Sequence, residues 1–92
     1  MPSNGSEGAP NGPMLPLQML GEGESAVIAD VLGGRGIRRH LSDMGLTPGV
    51  TVQVAGQGAG AGPVVVRVMG ARIAVGHGMA RRIMVRPVAP DG

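Results

Sequence analysis

The sequence predicts a mainly β fold, a small and strongly curved antiparallel barrel of about five short strands. One short α-helix is inserted in it, and a short helical turn precedes the last strand. Two observations support this fold class. Short runs rich in valine and isoleucine recur between glycine-rich turns. The segment from Ile37 to Met44 instead places its apolar residues at helical spacing.

Composition limits both the core and the classes of function. The 92 residues contain no Phe, Tyr or Trp, so the core must consist of Val, Ile, Leu, Met and Ala. The absence of cysteine excludes disulfides and thiolate metal sites. The net charge is +2, and the missing aromatic residues argue against binding of single-stranded nucleic acid by base stacking. Without a signal peptide or a long apolar run, a cytoplasmic location is expected.

The chain divides into one domain and two tails. Residues 1–13 are rich in Gly, Pro, Ser and Asn and are predicted to be a disordered tail. Residues 14–88 form the predicted domain, in which the apolar segment "MLPLQML" is expected to dock first. Residues 89–92 form a short C-terminal tail.

Alternating valines identify the central strands. The segments "VTVQVA" and "VVVRVM" each place three valines on one face, and "QGAGAGP" between them is predicted to be a flexible loop. The earlier segment "SAVIADV" is strand-like, but its inward face is ambiguous because both of its faces are mainly apolar. After a helical turn at "GHGMARR", the last strand has Ile83 and Val85 inward, so Met84 is expected to point outward.

A tight hairpin is predicted at Gly70-Ala71, with glycine in the first turn position. This turn pairs the flanking residues as Val68 with Ile73, Arg67 with Ala74, and Val66 with Val75.

The single helix has an apolar face and a basic face. Ile37, Leu41 and Met44 share the apolar face, and Gly45 is suited to the left-handed position that ends a helix. In that motif Leu46 packs against Leu41. One helix among short strands indicates a barrel of the SH3-like kind.

These segments, in this order, resemble the FeoA-type family of bacterial ferrous iron transport. The resemblance rests on Gly21-Glu22 and on the motifs "LSDMGLTPG", "VMGARIAV" and "ARRIMV", and it extends from Leu17 to Val85. The family is also similar to the C-terminal domain of iron-dependent repressors. The resemblance implies an SH3-like barrel with a helical insertion. It also implies a regulatory or assembly role at a FeoB-type membrane transporter with a cytoplasmic GTPase domain.

Neither catalysis nor a cofactor is expected. The acidic residues show no spacing with His or Ser that suggests acid–base or nucleophilic chemistry; they are Glu7, Glu22, Glu24, Asp30, Asp43 and Asp91. His40 and His77 are weak candidates for a transition-metal site, because iron needs several converging ligands. The alternative is that both histidines are simply solvated.

The partner-binding candidates are Arg35, Arg38 and Arg39, with Met84 as an apolar contact. Arginine is suited to bidentate contact with carboxylates of a partner. The alternative is that these residues are only solvated, as charged helix faces usually are. Arg39 could also pair with Asp43, which lies four residues later on the helix. The loop at Arg35 is also a candidate for weak phosphate binding, with a flexible turn as the alternative.

The sequence therefore predicts a non-enzymatic cytoplasmic protein that assists or regulates a ferrous iron transporter. The alternative is a stand-alone repressor-type or nucleic-acid-associated barrel, against which the low basic density argues. A peptide-binding SH3-like domain is disfavoured by the missing aromatic residues. Exposed strand edges also allow self-association.

Overall fold

The computed structural model describes residues 12–57 and 62–88, which form six strands and two α-helices. In chain order these are β1 (Leu15–Pro16), β2 (Ser25–Val31), α1 (Arg35–Asp43), β3 (Thr51–Gln57), β4 (Val64–Val68), β5 (Ala71–Val75), α2 (His77–Ala80) and β6 (Ile83–Pro87). A 3₁₀ turn over Leu17–Met19 follows β1. The strands form one antiparallel sheet in the order β1-β6-β2-β3-β4-β5.

The predicted fold class is confirmed, with two refinements. The sheet has six strands because the docking segment contributes the two-residue strand β1. The sheet is not closed into a barrel: β1 and β5 lie at its two ends, and no ladder joins them within the described residues. Most of the predicted N-terminal tail, residues 58–61 of the predicted hairpin loop, and the predicted C-terminal tail lie outside the described residues.

The core is aliphatic, as the composition requires. It contains no buried polar or charged residue within the described part of the chain. The alternation predicted for β3, β4 and β6 is confirmed, because the inward residues of each strand are buried. The buried set is Leu17, Leu20, Ala26, Ile28, Val31, Leu41, Leu46, Val52, Val54, Val64, Val66, Val68, Val75, Ala80, Ile83 and Val85.

The ambiguous face of β2 is decided by an irregularity in its pairing with β6. Ala26 and Ile28 face the core, and the register then shifts between Ile28 and Asp30. The extra residue lets Val31 face the core as well, although it lies three residues after Ile28. A strand with a bulge can bury residues that simple alternation would assign to opposite faces.

The end of α1 follows the predicted capping motif. Gly45 has a φ of 83°, and its N–H donates to the Ser42 carbonyl oxygen at 2.9 Å. The Leu46 N–H donates to the Leu41 carbonyl oxygen at 2.8 Å. These two bonds define the Schellman motif. Leu41 and Leu46 are both buried in the core, with Ile37 and Met44 packed against it, so this face of the helix secures α1 to the sheet.

The predicted register of the β4–β5 hairpin is wrong, because the turn lies one residue earlier than the predicted Gly70-Ala71. The turn is Met69-Gly70, with φ of 50° and 82°, and Val68 therefore pairs with Ala71. Two positive φ angles are the requirement of a type I′ turn, whose twist matches that of the strands. The observed register pairs Val66 with Ile73 and keeps Val64, the third inward valine, in the ladder. It also places Arg67 opposite Arg72 instead of Ala74.

Candidate functional site

The connection between β2 and α1 sets the position of the basic helix. Gly33 has a φ of 132°, and a Cβ atom at this residue would lie 2.8 Å from Cδ1 of Ile37. Residues with a side chain rarely adopt this backbone conformation, and a Cβ atom here would also require the end of the Ile37 side chain to move. Because Ile37 packs against the core, Gly33 lets the helix begin directly after β2 with its apolar side against the sheet.

The three candidate arginines lie on one exposed side of α1. Arg35 is the first residue of the helix, and Arg38 and Arg39 follow at the i+3 and i+4 positions. All three side chains are exposed. No ion pair joins Arg39 to Asp43, in contrast to the pairing considered from the sequence; within the described residues the ion pair is that of Arg38 with Asp30.

Arg38 is the arginine that contacts the sheet. Its Nη2 atom lies 3.8 Å from Oδ1 of Asp30, and its Nε atom donates to the Gly33 carbonyl oxygen at 3.5 Å. The same Asp30 oxygen accepts the Val31 N–H at 2.8 Å. About half of each paired side chain is exposed (57% for Arg38 and 46% for Asp30), so solvent screens the pair strongly.

Asp30 also connects the helix to Met84. In the β2–β6 ladder Asp30 is the direct partner of Met84, which lies between the buried residues Ile83 and Val85 and is half-buried on the outer side of the sheet. Asp30 is therefore a neighbour of both Arg38 and Met84. We call this region the arginine surface; its residues are Asp30, Arg35, Arg38, Arg39 and Met84.

An exposed leucine borders the arginine surface. Leu32 follows β2 and is 47% exposed, and its N–H donates to the Arg82 carbonyl oxygen at 2.7 Å. The bond extends the β2–β6 pairing by one residue and holds Leu32 in place beside Gly33. Sequence reasoning missed both Asp30 and Leu32 as surface residues. The available signal was the end of an apolar strand pattern at Leu32, directly before the glycine pair.

Within the described residues, His40 and His77 belong to no group of side chains that could hold a metal ion. His40 is exposed on α1, and His77 is the first residue of α2 and is half-buried. Across residues 12–57 and 62–88, no group of three His, Cys, Asp or Glu side chains lies close enough to hold a metal ion. In the same part of the chain, no helix is long and apolar enough to cross a membrane.

The arginine surface combines cationic and apolar groups. Three guanidinium groups present planar donors suited to carboxylates, and Met84 with Leu32 supplies apolar contact area at one side. Arginine and methionine are both enriched at protein–protein interfaces. This chemistry fits the binding of an acidic protein surface.

The sequence of this chain matches one protein family and a curated relative. The model of the FeoA domain family matches residues 15–87. A curated protein of Methanocaldococcus jannaschii, named "Putative Fe(2+) transport protein A", is 35% identical over 79 residues. That match covers 86% of this chain and 94% of the relative.

Solved structures show the same fold. A crystal structure described as an iron uptake regulatory protein (FeoA) matches with a TM-score of 0.74 and 42% identity, covering 80% of this chain and 96% of that one. The FeoA protein of Chlorobium tepidum matches with a TM-score of 0.75 and 27% identity, covering 85% and 74%. A manganese-dependent transcriptional repressor in complex with manganese has a TM-score of 0.76 at 21% identity, a likeness of fold alone, over 38% of its own length.

Proposed function

This chain belongs to the FeoA family, and we propose that it is a non-enzymatic cytoplasmic protein that binds and regulates a FeoB-type ferrous iron transporter. Family membership supports the role in ferrous iron transport. The arginine surface supports the finer proposal that the chain acts by contact with a protein. In this proposal Arg35, Arg38 and Arg39 bind carboxylates on the cytoplasmic part of the transporter, and Met84 packs on an apolar residue beside them.

The observation that carries the proposal is the position of Asp30 between Arg38 and Met84. This carboxylate joins a residue of the helix and a residue of the last strand into one continuous surface. The Asp30–Arg38 pair is exposed and weak, so Arg38 can exchange Asp30 for a partner carboxylate at small cost in free energy. Because Asp30 and the Gly33 carbonyl oxygen already restrict Arg38 before binding, this side chain loses less entropy on association than an unrestrained one would.

The first experiment is co-purification from the cell that makes the protein. The affinity-tagged chain is incubated with detergent-solubilised membrane proteins of that cell, and the bound proteins are identified by mass spectrometry. We expect recovery of a ferrous iron transporter that carries a GTPase domain. The variant with Arg38→Glu and Arg39→Glu, checked for an unchanged melting temperature, serves as the matched control and should recover much less of it.

Two outcomes argue against this function. Recovery of nucleic acid that is lost as salt is raised would favour the repressor-like or nucleic-acid-associated alternative. Equal recovery of the transporter by the wild type and the double variant would place the contact elsewhere on the domain.

A further inference from the structure

The β5 strand is an open edge of the sheet. It packs extensively on β4 alone, and within the described residues no strand pairs with its other side. Its ladder with β4 is regular over all five residues and contains no bulge or proline. Sheet edges are usually protected by such features or by charged residues, and here the charged residue is Arg72.

The hairpin turn determines which backbone groups of β5 face the open side. A two-residue type I′ turn makes Val68 and Ala71 a hydrogen-bonded pair. Hydrogen-bonded and non-hydrogen-bonded pairs alternate along an antiparallel ladder, so Arg72 and Ala74 do not bond to β4 through their backbone. Their N–H and C=O groups therefore point to the open edge and are placed to receive another strand.

Two arginines lie opposite each other beside this edge. Arg67 of β4 and Arg72 of β5 form a non-hydrogen-bonded pair, the kind in which opposite side chains lie closest. Both are exposed, and neither has a carboxylate within 4.0 Å among the described residues. Like charges directly opposite each other destabilise a sheet unless something compensates them.

The two acidic residues that precede β2, Glu22 and Glu24, do not pair with these arginines. The Glu24 carboxylate accepts the Gly21 N–H at 2.6 Å. The Glu22 carboxylate lies beside Gly56 of β3, with its Oε2 atom 3.5 Å from the position that a Cβ of Gly56 would occupy. Gly56 pairs with Val65 of β4 and not with Arg67. The residue opposite Arg67 on β3 is Gln53, a neutral residue. Within the described residues the arginine pair thus has no carboxylate partner.

From these features we infer that the β5 edge binds an extended acidic segment of another protein, which adds to the sheet as a strand. Its backbone bonds to Arg72 and Ala74, and an Asp or Glu opposite Arg72 places a carboxylate beside the Arg72 guanidinium group, where it offsets the repulsion from Arg67. Its neighbouring residue faces inward and covers Ile73, which is half-buried at this edge. The segment is therefore one in which acidic and apolar residues alternate.

A second copy of this chain fits the edge poorly. Pairing β5 with β5 of another copy would bring four arginines onto one continuous face, and like charges so placed oppose association. The β5 edge is separate from the arginine surface, so this inference holds or fails independently of the proposed function.

The test uses the full chain and two synthetic peptides. One is a blocked seven-residue peptide of alternating Val and Glu; the other has Lys in place of Glu. Binding is followed by amide chemical shifts, and hydrogen exchange is measured at Arg72 and Ala74. The Glu peptide should shift residues 71–75, slow exchange at both amides by about tenfold or more, and bind at least about tenfold more tightly than the Lys peptide.

Two variants separate charge recognition from backbone pairing. Arg72→Glu leaves Arg67 as the one cation of the pair and neutralises it, so this variant should lose the preference for the Glu peptide. Ala74→Pro removes an edge N–H without removing a bond to β4 and should abolish binding. Arg39→Glu, on the helix, is the control and should bind the Glu peptide as the wild type does. If Ala74→Pro does not fold, loss of the preference in Arg72→Glu, with Arg39→Glu unchanged, still decides the question.

Four results would overturn the inference. The first is equal binding of the two peptides, and the second is chemical-shift changes confined to residues outside 71–75. The third is slowed exchange at Arg72 and Ala74 that accompanies dimerisation without peptide. The fourth is displacement of the bound Glu peptide by anionic phosphatidylglycerol vesicles. The third would identify a second copy as the occupant, and the fourth would identify a lipid surface.

Discussion

Asp30 and Arg38 form an exposed ion pair that links the second strand of the sheet to the basic helix, with 3.8 Å between Oδ1 and Nη2. Because about half of each side chain is exposed and solvent screens the pair, it orients Arg38 more than it stabilises the fold. We predict a coupling free energy of about 0.5 kcal/mol or less between Asp30→Ala and Arg38→Ala. Urea unfolding of the wild type, both single variants and the double variant measures it. A coupling above about 2 kcal/mol would mean that Arg38 is a structural residue.

Gly33 is predicted to be essential to the start of the helix. Gly33→Ala forces alanine into a φ of 132°, which residues with a side chain rarely adopt, so it should lower the free energy of unfolding by about 1 kcal/mol or more. Gly36→Ala is the matched control: it lies within α1, nothing is within 4 Å of its Cβ position, and it should stabilise the protein by up to about 1 kcal/mol. Thermal unfolding of the two variants should therefore shift in opposite directions.

The opposed arginines of the hairpin predict a stabilising substitution. Arg72→Glu replaces a like-charge pair with Arg67 by an attractive pair and should raise the free energy of unfolding by about 0.5 kcal/mol. The gain should shrink as salt is raised, because both residues are exposed. Denaturant unfolding at low and high salt checks both statements. A loss of stability at low salt would show that the arginine pair is not repulsive.

Substitution of Leu41 is predicted to lower stability strongly, whereas substitution of Met84 is predicted to affect mainly partner binding. Leu41 is fully buried, so Leu41→Ala should cost about 2–5 kcal/mol, a large part of the stability of so small a domain. Met84 is half-buried on the outer side, so Met84→Ala should cost clearly less while weakening partner binding. Urea unfolding of the two variants gives the comparison. Equal losses of stability would assign Met84 to the core.

Local features of the fold were predictable from the sequence, and long-range register was not. The helix end followed from Gly45 and Leu46, because capping depends on neighbouring residues. The hairpin register was missed because Met69 adopts a positive φ that is uncommon for a residue with a side chain. The bulge before Asp30 was missed because it depends on the pairing of β2 with β6, which are distant in the chain.

The candidate site shows the same division. The exposed arginines of α1 could be identified from helical spacing, and the outward position of Met84 from alternation along β6. That Arg38 and Met84 both neighbour Asp30 could not be inferred, because it requires the β2–β6 register and the position of the helix. Arg67 and Arg72 became neighbours only through the observed turn. Both candidate surfaces therefore depend on contacts between different strands and the helix, which the pattern within a single segment does not predict.

The most direct test of the central claim is the dissociation constant of this protein for the purified transporter reconstituted in nanodiscs. Three proteins are compared: the wild type, Arg39→Glu on the helix, and a control with Arg81→Glu, which has the same change in net charge at an exposed residue outside both proposed surfaces. The account predicts at least about tenfold weaker binding for the helix variant, with the control near the wild type. Equal binding by all three, or loss of binding by the control alone, would contradict it.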